Sequence, residues 1–153
     1  MKDFGQQLGD PDIKLAGLSI WIHQREVPEA TDYWDGNWVL ATASCEASGA
    51  LVWTDGPIIH LPEIERLMNG VQQMYTSLSG IAVLGCMEPE LDFQLNMTGQ
   101  GRIEMEVNIT ADHLAQEHCF RFELDQSYLP KLVDDCAKVL AKYPVKHDSS
   151  ETN

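Results

Sequence analysis

Strict alternation of apolar and polar residues in the second half of the chain limits its fold more than any other feature. Three runs alternate in this way, separated by short loops at 99–101 and 111–116. Side chains on a strand point alternately to opposite faces, so each run predicts a strand with one buried face. The short connections favour antiparallel pairing. The apolar positions are Leu91, Phe93, Leu95 and Met97, then Ile103, Met105, Val107 and Ile109, then Phe120, Phe122 and Leu124.

The first half of the chain predicts further strands. Residues 13–25 have apolar side chains on one face of a strand, and a loop with the turn dipeptide Asp35-Gly36 follows. Residues 38–47 and 50–54 then predict a hairpin joined at Ser48-Gly49.

Two helices are predicted, at 61–78 and 128–143. Apolar residues recur there at spacings of three and four, which gives each helix one buried stripe. Pro62 suits a first helical turn, Gly80 is expected to end the first helix, and Ser127 is expected to cap the second. The predicted fold class is α+β, with about six antiparallel strands and two helices packed on them.

The two halves of the chain resemble each other. After a shift of 68 residues, 61–75 falls on 129–143 without a gap, with leucine, proline, valine and tyrosine in matching places. This favours a duplicated unit of strands followed by a helix, although two unrelated amphipathic helices with an N-terminal proline would also look alike. The expected organisation is an N-terminal extension at 1–12, one domain at 13–145 and a flexible polar tail at 146–153.

The chain is strongly acidic. It has 24 acidic and 10 basic residues and a net charge of −14. Such a field opposes binding to nucleic acid or to anionic membranes and favours a cationic partner. The alternative is that the charge only keeps the protein in solution.

The four cysteines, Cys45, Cys86, Cys119 and Cys136, form no C-x-x-C pair and lie beside apolar residues. We expect small core residues in a reducing compartment. The N-terminus has no apolar stretch typical of a signal peptide, and no apolar run reaches the ~20 residues that span a bilayer. The expected location is the cytoplasm.

Motifs that carry catalysis are absent from the sequence. There is no G-x-S-x-G, H-E-x-x-H, P-loop or G-x-G-x-x-G pattern. The five histidines are scattered without metal-ligand spacing, so neither a metal nor a cofactor is expected. Glu88 and Glu90 could form a carboxylate pair, but such pairs arise by chance in an acidic chain.

An acidic and aromatic segment at 29–35 is the candidate binding site. It combines carboxylates with aromatic rings in a predicted loop, at Glu29, Asp32, Tyr33, Trp34 and Asp35. Exposed aromatic rings among carboxylates suit a basic protein surface. The competing interpretation is a structural corner in which the rings plug the edge of a sheet. Glu104, Glu106 and Glu123 are predicted to share the polar sheet face with Arg102 and Arg121, where cross-strand ion pairing is favoured over a binding surface.

The sequence also resembles a known family. D-Y-W-D-G-N-W at 32–38, preceded by V-P-E, and F-E-L-D-Q-S-Y-L-P at 122–130, followed by a helix ending in K-Y-P, are similar to the WapI-type immunity family. G-x-G-R-I at 99–103 matches as well, and the resemblance spans about residues 13–145. The family usually has leucine after the second tryptophan, where this chain has Val39.

The resemblance implies an intracellular protein that neutralises a toxin domain of contact-dependent bacterial competition, and it implies no enzymatic activity. Toxins of this kind are often nucleases with basic clefts, so a cognate toxin is the expected partner and tight stoichiometric binding the expected mode. Two alternatives stay open. One is a module that binds a small molecule or carbohydrate by stacking on Tyr33 and Trp34. The weaker one is a hydrolase that uses Glu88 or Glu90.

Overall fold

Eight strands form two separate antiparallel sheets. A computed structural model describes residues 4–147, and the ends of the predicted extension and tail lie outside them. Each sheet has four strands in sequence order, each paired with the next. The first sheet contains β1 (Ile13–Leu15), β2 (Leu18–Arg25), β3 (Trp38–Ala47) and β4 (Ala50–His60), and the second contains β5 (Gly80–Leu84), β6 (Leu91–Gly99), β7 (Arg102–Ile109) and β8 (Cys119–Asp125).

Helices occupy both predicted segments. α3 spans Leu61–Ser77 and α4 spans Leu129–Lys142. The sequence did not predict two short helices, α1 (Phe4–Leu8) and α2 (Tyr33–Gly36). The α+β class is therefore confirmed, with four helices in the described part of the chain instead of two.

The helix ends differ from the predicted ones. The C-terminal cap of α3 is Leu78, two residues before the predicted Gly80, and it takes the left-handed conformation with a φ of 54°. Ser127 does not cap α4. The Asp125 carboxylate accepts a hydrogen bond from the Ser127 backbone N–H and begins a 3-10 turn that leads into α4. A side chain therefore fixes the start of the turn before α4, whereas α3 ends on a backbone hydrogen bond of 2.7 Å from the Leu78 N–H to the Met74 carbonyl oxygen.

Eight strands are present where the sequence predicted about six. The predicted strand at 13–25 is divided by a turn at Ala16 and Gly17, and Ala16 has a φ of 51°. A Cβ on Gly17 would lie 2.0 Å from the Glu46 carbonyl oxygen, so only glycine fits this turn. β5 was missed because it is short and begins with Gly80, a residue that is unfavourable in strands.

One hydrophobic core joins both sheets and both long helices. α3 packs against α4, and each helix also contacts the first strand of the other half: α3 contacts β5 and α4 contacts β1. The Asp135 carboxylate of α4 accepts a hydrogen bond of 3.2 Å from the Lys14 backbone N–H of β1. The largest fully buried side chains come from both sheets and from α3, among them Ile13, Leu18, Ile20, Ile59, Leu61, Ile64, Leu67, Leu84, Phe93 and Leu95. α4 adds Leu129 and Leu132, which are fully buried as well.

The order of elements repeats in the two halves. Four antiparallel strands precede α3, and four antiparallel strands precede α4. The helices begin at Leu61 and Leu129. These two positions are 68 residues apart, the same offset that aligns the two halves of the sequence. A duplicated unit predicts this repeated order, and the duplication itself stays a prediction.

Replacing Val139 by aspartate is expected to unfold the protein. Val139 is 4% exposed on the buried side of α4. An unpaired carboxylate there costs several kcal/mol, a large share of the ~5–15 kcal/mol that stabilises a typical domain. Thermal unfolding followed by circular dichroism measures the effect. Ala137→Asp, on the exposed side of the same helix, is the matched control and should keep a cooperative transition, and a Val139→Asp variant with the same transition would contradict the prediction.

Candidate protein-binding surfaces

The acidic and aromatic segment 29–35 is partly helical. Asp32 begins α2, and its carboxylate accepts a hydrogen bond of 2.9 Å from the Asp35 backbone N–H. Glu29, Trp34 and Asp35 are exposed, whereas Asp32 and Tyr33 are half-buried. Asp32 thus has a structural role as a helix cap in addition to its charge.

Aromatic rings hold the segment against the start of α3. The Trp34 ring stacks on the buried His60 imidazole, with centroids 5.7 Å apart and planes 15° apart. Tyr33 meets both rings edge-on, at 5.1 Å and 5.4 Å, and Trp38 lies 4.7 Å from His60. His60 Nε2 lies 3.2 Å and 3.1 Å from the carbonyl oxygens of Tyr33 and Trp34, so this nitrogen carries the proton and donates. Trp34 is nevertheless 57% exposed.

Asn37 fixes the end of this segment to the C-terminal part of the chain. Its side-chain amide is buried and donates to the carbonyl oxygens of Tyr33 at 2.8 Å and Lys146 at 2.9 Å. Its oxygen accepts from the Lys146 backbone N–H at 2.8 Å. Lys146, which the sequence placed in the flexible tail, is therefore held at the back of the segment.

Two cations complete this junction. Lys146 Nζ donates to the carbonyl oxygens of Pro28 and Ala30, at 2.9 Å and 2.7 Å. Arg25 donates to the Gly36 carbonyl oxygen at 2.7 Å. Both cations bind backbone oxygens, and among residues 4–147 no ion pair involves the carboxylates of the segment. The segment is thus a structural corner on its inner side, and it presents Trp34 and unpaired carboxylates on its outer side.

The outer face of the second sheet forms a second candidate surface, which we call the β5–β8 face. Pairing places two rows of side chains across all four strands. One row is Ile81, Asn96, Glu104 and Glu123, and the other is Val83, Gln94, Glu106 and Arg121. The middle and acidic parts of these rows line an open concavity of about 510 Å³. The apolar end of this surface, Ile81 and Val83, was not predicted from the sequence because β5 was not predicted.

Charges on the β5–β8 face are only partly paired. Cross-strand ion pairing was predicted for this face without naming partners, and one such pair is present: Arg121 pairs with Glu106, with 3.5 Å between nitrogen and oxygen. Glu104 and Glu123 lie directly opposite each other on β7 and β8. Neither has an ion-pair partner within the described residues. Like charges in this position repel each other and destabilise a sheet.

The cysteines offer no activated nucleophile. Burial raises the pKa of Cys45 to about 11 and that of Cys136 to about 12, and burial together with Glu63 raises the pKa of Cys86. These thiols stay protonated at neutral pH. Cys119 corrects our expectation of four core cysteines: it is exposed on the outer side of β8, because the half-buried Phe120 side chain next to it takes the inner side and packs against the core.

The geometry gives little support to a hydrolase that uses Glu88 or Glu90, or to a metal site. Glu88 and Glu90 lie half-buried in the loop between β5 and β6. One Glu90 carboxylate oxygen is buried without a hydrogen-bond partner in the part of the chain that the structure describes. Nowhere between residues 4 and 147 do three or more His, Cys, Asp or Glu side chains come together to hold a metal ion.

A family model covers nearly the whole described chain. The model of the immunity protein WapI-like family matches residues 9–144, which include both candidate surfaces. The chain belongs to the WapI-like immunity protein family. Membership in this family supports an immunity role and, with it, a toxin protein as partner.

Other comparisons add little. No curated protein matches the chain. The crystal structure of WHY1 from Arabidopsis thaliana is similar with a TM-score of 0.46 and 9% identity, over 84% of this chain and 78% of that one. This likeness is too weak to support a conclusion. Among the described helices, none is both long and apolar enough to cross a membrane.

Replacing Asn37 by alanine should destabilise the protein. The change removes three hydrogen bonds at a buried position: it takes the Asn37 partner from the backbone N–H and carbonyl oxygen of Lys146, and it leaves the Tyr33 carbonyl oxygen with His60 alone. We expect a loss of about 2–3 kcal/mol, or roughly 5–10 °C in Tm.

Asn108→Ala is the control for this variant, since the Asn108 side chain is exposed and its hydrogen bond in the described chain goes to the Asp92 carboxylate. It should lower Tm by only about 1–2 °C, because an exposed hydrogen bond exchanges with water. Equal losses in the two variants, measured by calorimetry, would mean that the junction with Lys146 contributes nothing.

Proposed function

We propose that the chain neutralises a cognate toxin domain by tight stoichiometric binding, without catalysis, in the cytoplasm. The observation that carries the proposal is the outer side of segment 29–35. It presents Trp34, 57% exposed, together with carboxylates that no cation of the described chain neutralises. A surface of this kind combines an aromatic anchor with charges that select a basic partner.

The charge of the chain supports a basic, nuclease-type toxin as that partner. The net charge is −14, and from Glu26 to Glu65 the sequence has eight acidic residues and no lysine or arginine. An acidic protein can occupy the positions that a nuclease cleft offers to phosphates. The same field attracts the toxin over a distance and disfavours nucleic acid and anionic membranes as partners.

Segment 29–35 is the proposed contact, through Glu29, Asp32, Tyr33, Trp34 and Asp35. The fixed junction at Asn37 supports this, because a preorganised surface loses less conformational freedom on binding. Half-buried Tyr33 would act mainly by holding Trp34, whose ring it meets edge-on. Copurification of the chain with toxin domains encoded beside its gene tests the proposal, and failure of all such domains to bind would refute it.

A carbohydrate-binding module is the second candidate. The exposed side of Trp34 favours it, since sugars stack on aromatic faces and carboxylates accept hydrogen bonds from hydroxyls. The other face of that ring is already stacked on His60. Binding of a glycan that Trp34→Ala abolishes, with no binding of toxin, would favour this function over the first.

Changing Asp32 and Asp35 together to asparagine should slow association with the toxin by about tenfold at low salt. The fold should persist, because asparagine caps a helix as well as aspartate does. Stopped-flow measurements at several salt concentrations give the rates, and the difference from the wild type should shrink as screening increases. The control is Glu46→Gln combined with Glu117→Gln, which removes two exposed charges elsewhere. Equal slowing in both double variants would show that only net charge matters.

Replacing Trp34 by alanine should chiefly speed dissociation from the toxin. An aromatic anchor acts on the dissociation rate, and its loss typically weakens binding at least tenfold. Because the ring is more than half exposed, we expect its stacking on His60 to contribute only about 0.5–1.5 kcal/mol to stability. Surface plasmon resonance and thermal unfolding should be measured on the same sample. A large loss of stability with unchanged affinity would identify Trp34 as a structural plug.

A further inference from the structure

The β5–β8 face has a graded composition that the family match does not explain. At its β5 end, Ile81 is 57% exposed and Val83 is 41% exposed. The next strand places the amides of Asn96 and Gln94 beside them, and the acidic residues of β7 and β8 follow. Two β-branched side chains on the solvent side of a strand therefore border a polar concavity on the same face.

At the acidic end of this face, two carboxylates repel each other. Glu104 and Glu123 are direct cross-strand neighbours, and the nearby Arg121 pairs with Glu106. Directly opposite side chains have Cβ atoms about 4.5–5.5 Å apart, so a single cation could contact both carboxylates. Binding of that cation would remove a repulsion that the free protein retains.

We propose that the β5–β8 face docks a basic protein surface. A lysine or arginine of the partner lies between Glu104 and Glu123, and an apolar side chain of the partner covers Ile81 and Val83. If the partner is the toxin, the inference rests on the proposed function and adds a second contact to segment 29–35. The residues that carry it are Ile81, Val83, Glu104 and Glu123.

Charge complementarity selects this occupant over others. A second copy of the chain that docked on the same face would bring the two glutamate pairs either against each other or against the partner's Ile81 and Val83, and both arrangements bury carboxylates that receive no cation. Nucleic acid would meet the same carboxylates with its phosphates. A basic protein surface satisfies the acidic end and also buries the apolar end.

The first test does not require the toxin. The full-length chain, labelled with ¹⁵N, is titrated at low salt with the amidated peptide Lys-Leu-Lys-Leu-Lys, and amide shifts are followed by NMR. The largest shifts should fall at 81–83, 94–96, 104–106 and 121–123, and they should weaken in Glu104→Lys. Shifts confined to 29–35, or spread evenly over the acidic surface, would overturn the proposal.

The second test uses the cognate toxin domain. Glu123→Lys should weaken binding at least tenfold, because it places a like charge against the partner's cation. Ile81→Ser should raise the dissociation rate several-fold, since it removes the apolar contact. Glu65→Lys, the same charge reversal on the exposed side of α3, is the control and should change affinity less than twofold.

These outcomes separate the inference from the proposed function. Toxin that binds the wild type and Glu123→Lys equally would overturn the β5–β8 face and leave the immunity function standing. A wild type that binds no toxin would refute the function. The peptide titration would then show, independently of any toxin, whether the β5–β8 face binds a basic partner.

Stability gives a third readout. Glu104→Gln should raise the Tm of the free protein by about 1–2 °C, since it relieves the repulsion, while it weakens binding. A variant with lower Tm and unchanged binding would show that the pair is merely structural.

Discussion

The packing of α3 against α4 connects the two halves of this protein. Each strand pairs only within its own sheet, so no strand ladder joins the two sheets in the described part of the chain. The halves are held by apolar contacts in one core and by each helix resting on the first strand of the other half. Because each helix packs on a strand of the other half, each half depends on the other. A lone half would expose the apolar stripe of its helix and one face of its sheet.

Several parts of this fold could be predicted because one local signal decides them. The alternation around Phe93, Val107 and Leu124 predicts strands with one buried face, and those strands are present. The periodic stripes located both long helices to within a residue or two. β5 escaped prediction because Ile81 and Val83 are exposed while Ala82 and Leu84 are buried, so both faces of this short strand are apolar and no alternation is visible.

The candidate surfaces, too, could be predicted from the sequence only in part. Composition was sufficient to select segment 29–35 as a candidate, since it concentrates aromatic rings and carboxylates, and its binding role stays a prediction. It could not show that Asn37 is buried against Lys146, because this contact joins residues that are 109 positions apart in the sequence. Nor could it show that Glu104 faces Glu123 while Glu106 faces Arg121. That distinction depends on strand register, which is set by turns and by the whole sheet.

The junction between Asn37 and Lys146 also has a consequence for how the protein is made. The ribosome releases residues in sequence order, so the backbone groups of Lys146 that hold Asn37 become available only after both sheets and both long helices have been synthesised. A nascent chain can therefore begin to build its core while the outer side of segment 29–35 is still unsupported. The finished shape around Trp34 is thus a late event in biosynthesis, and products that stop before this point would lack it even when most of the domain has folded.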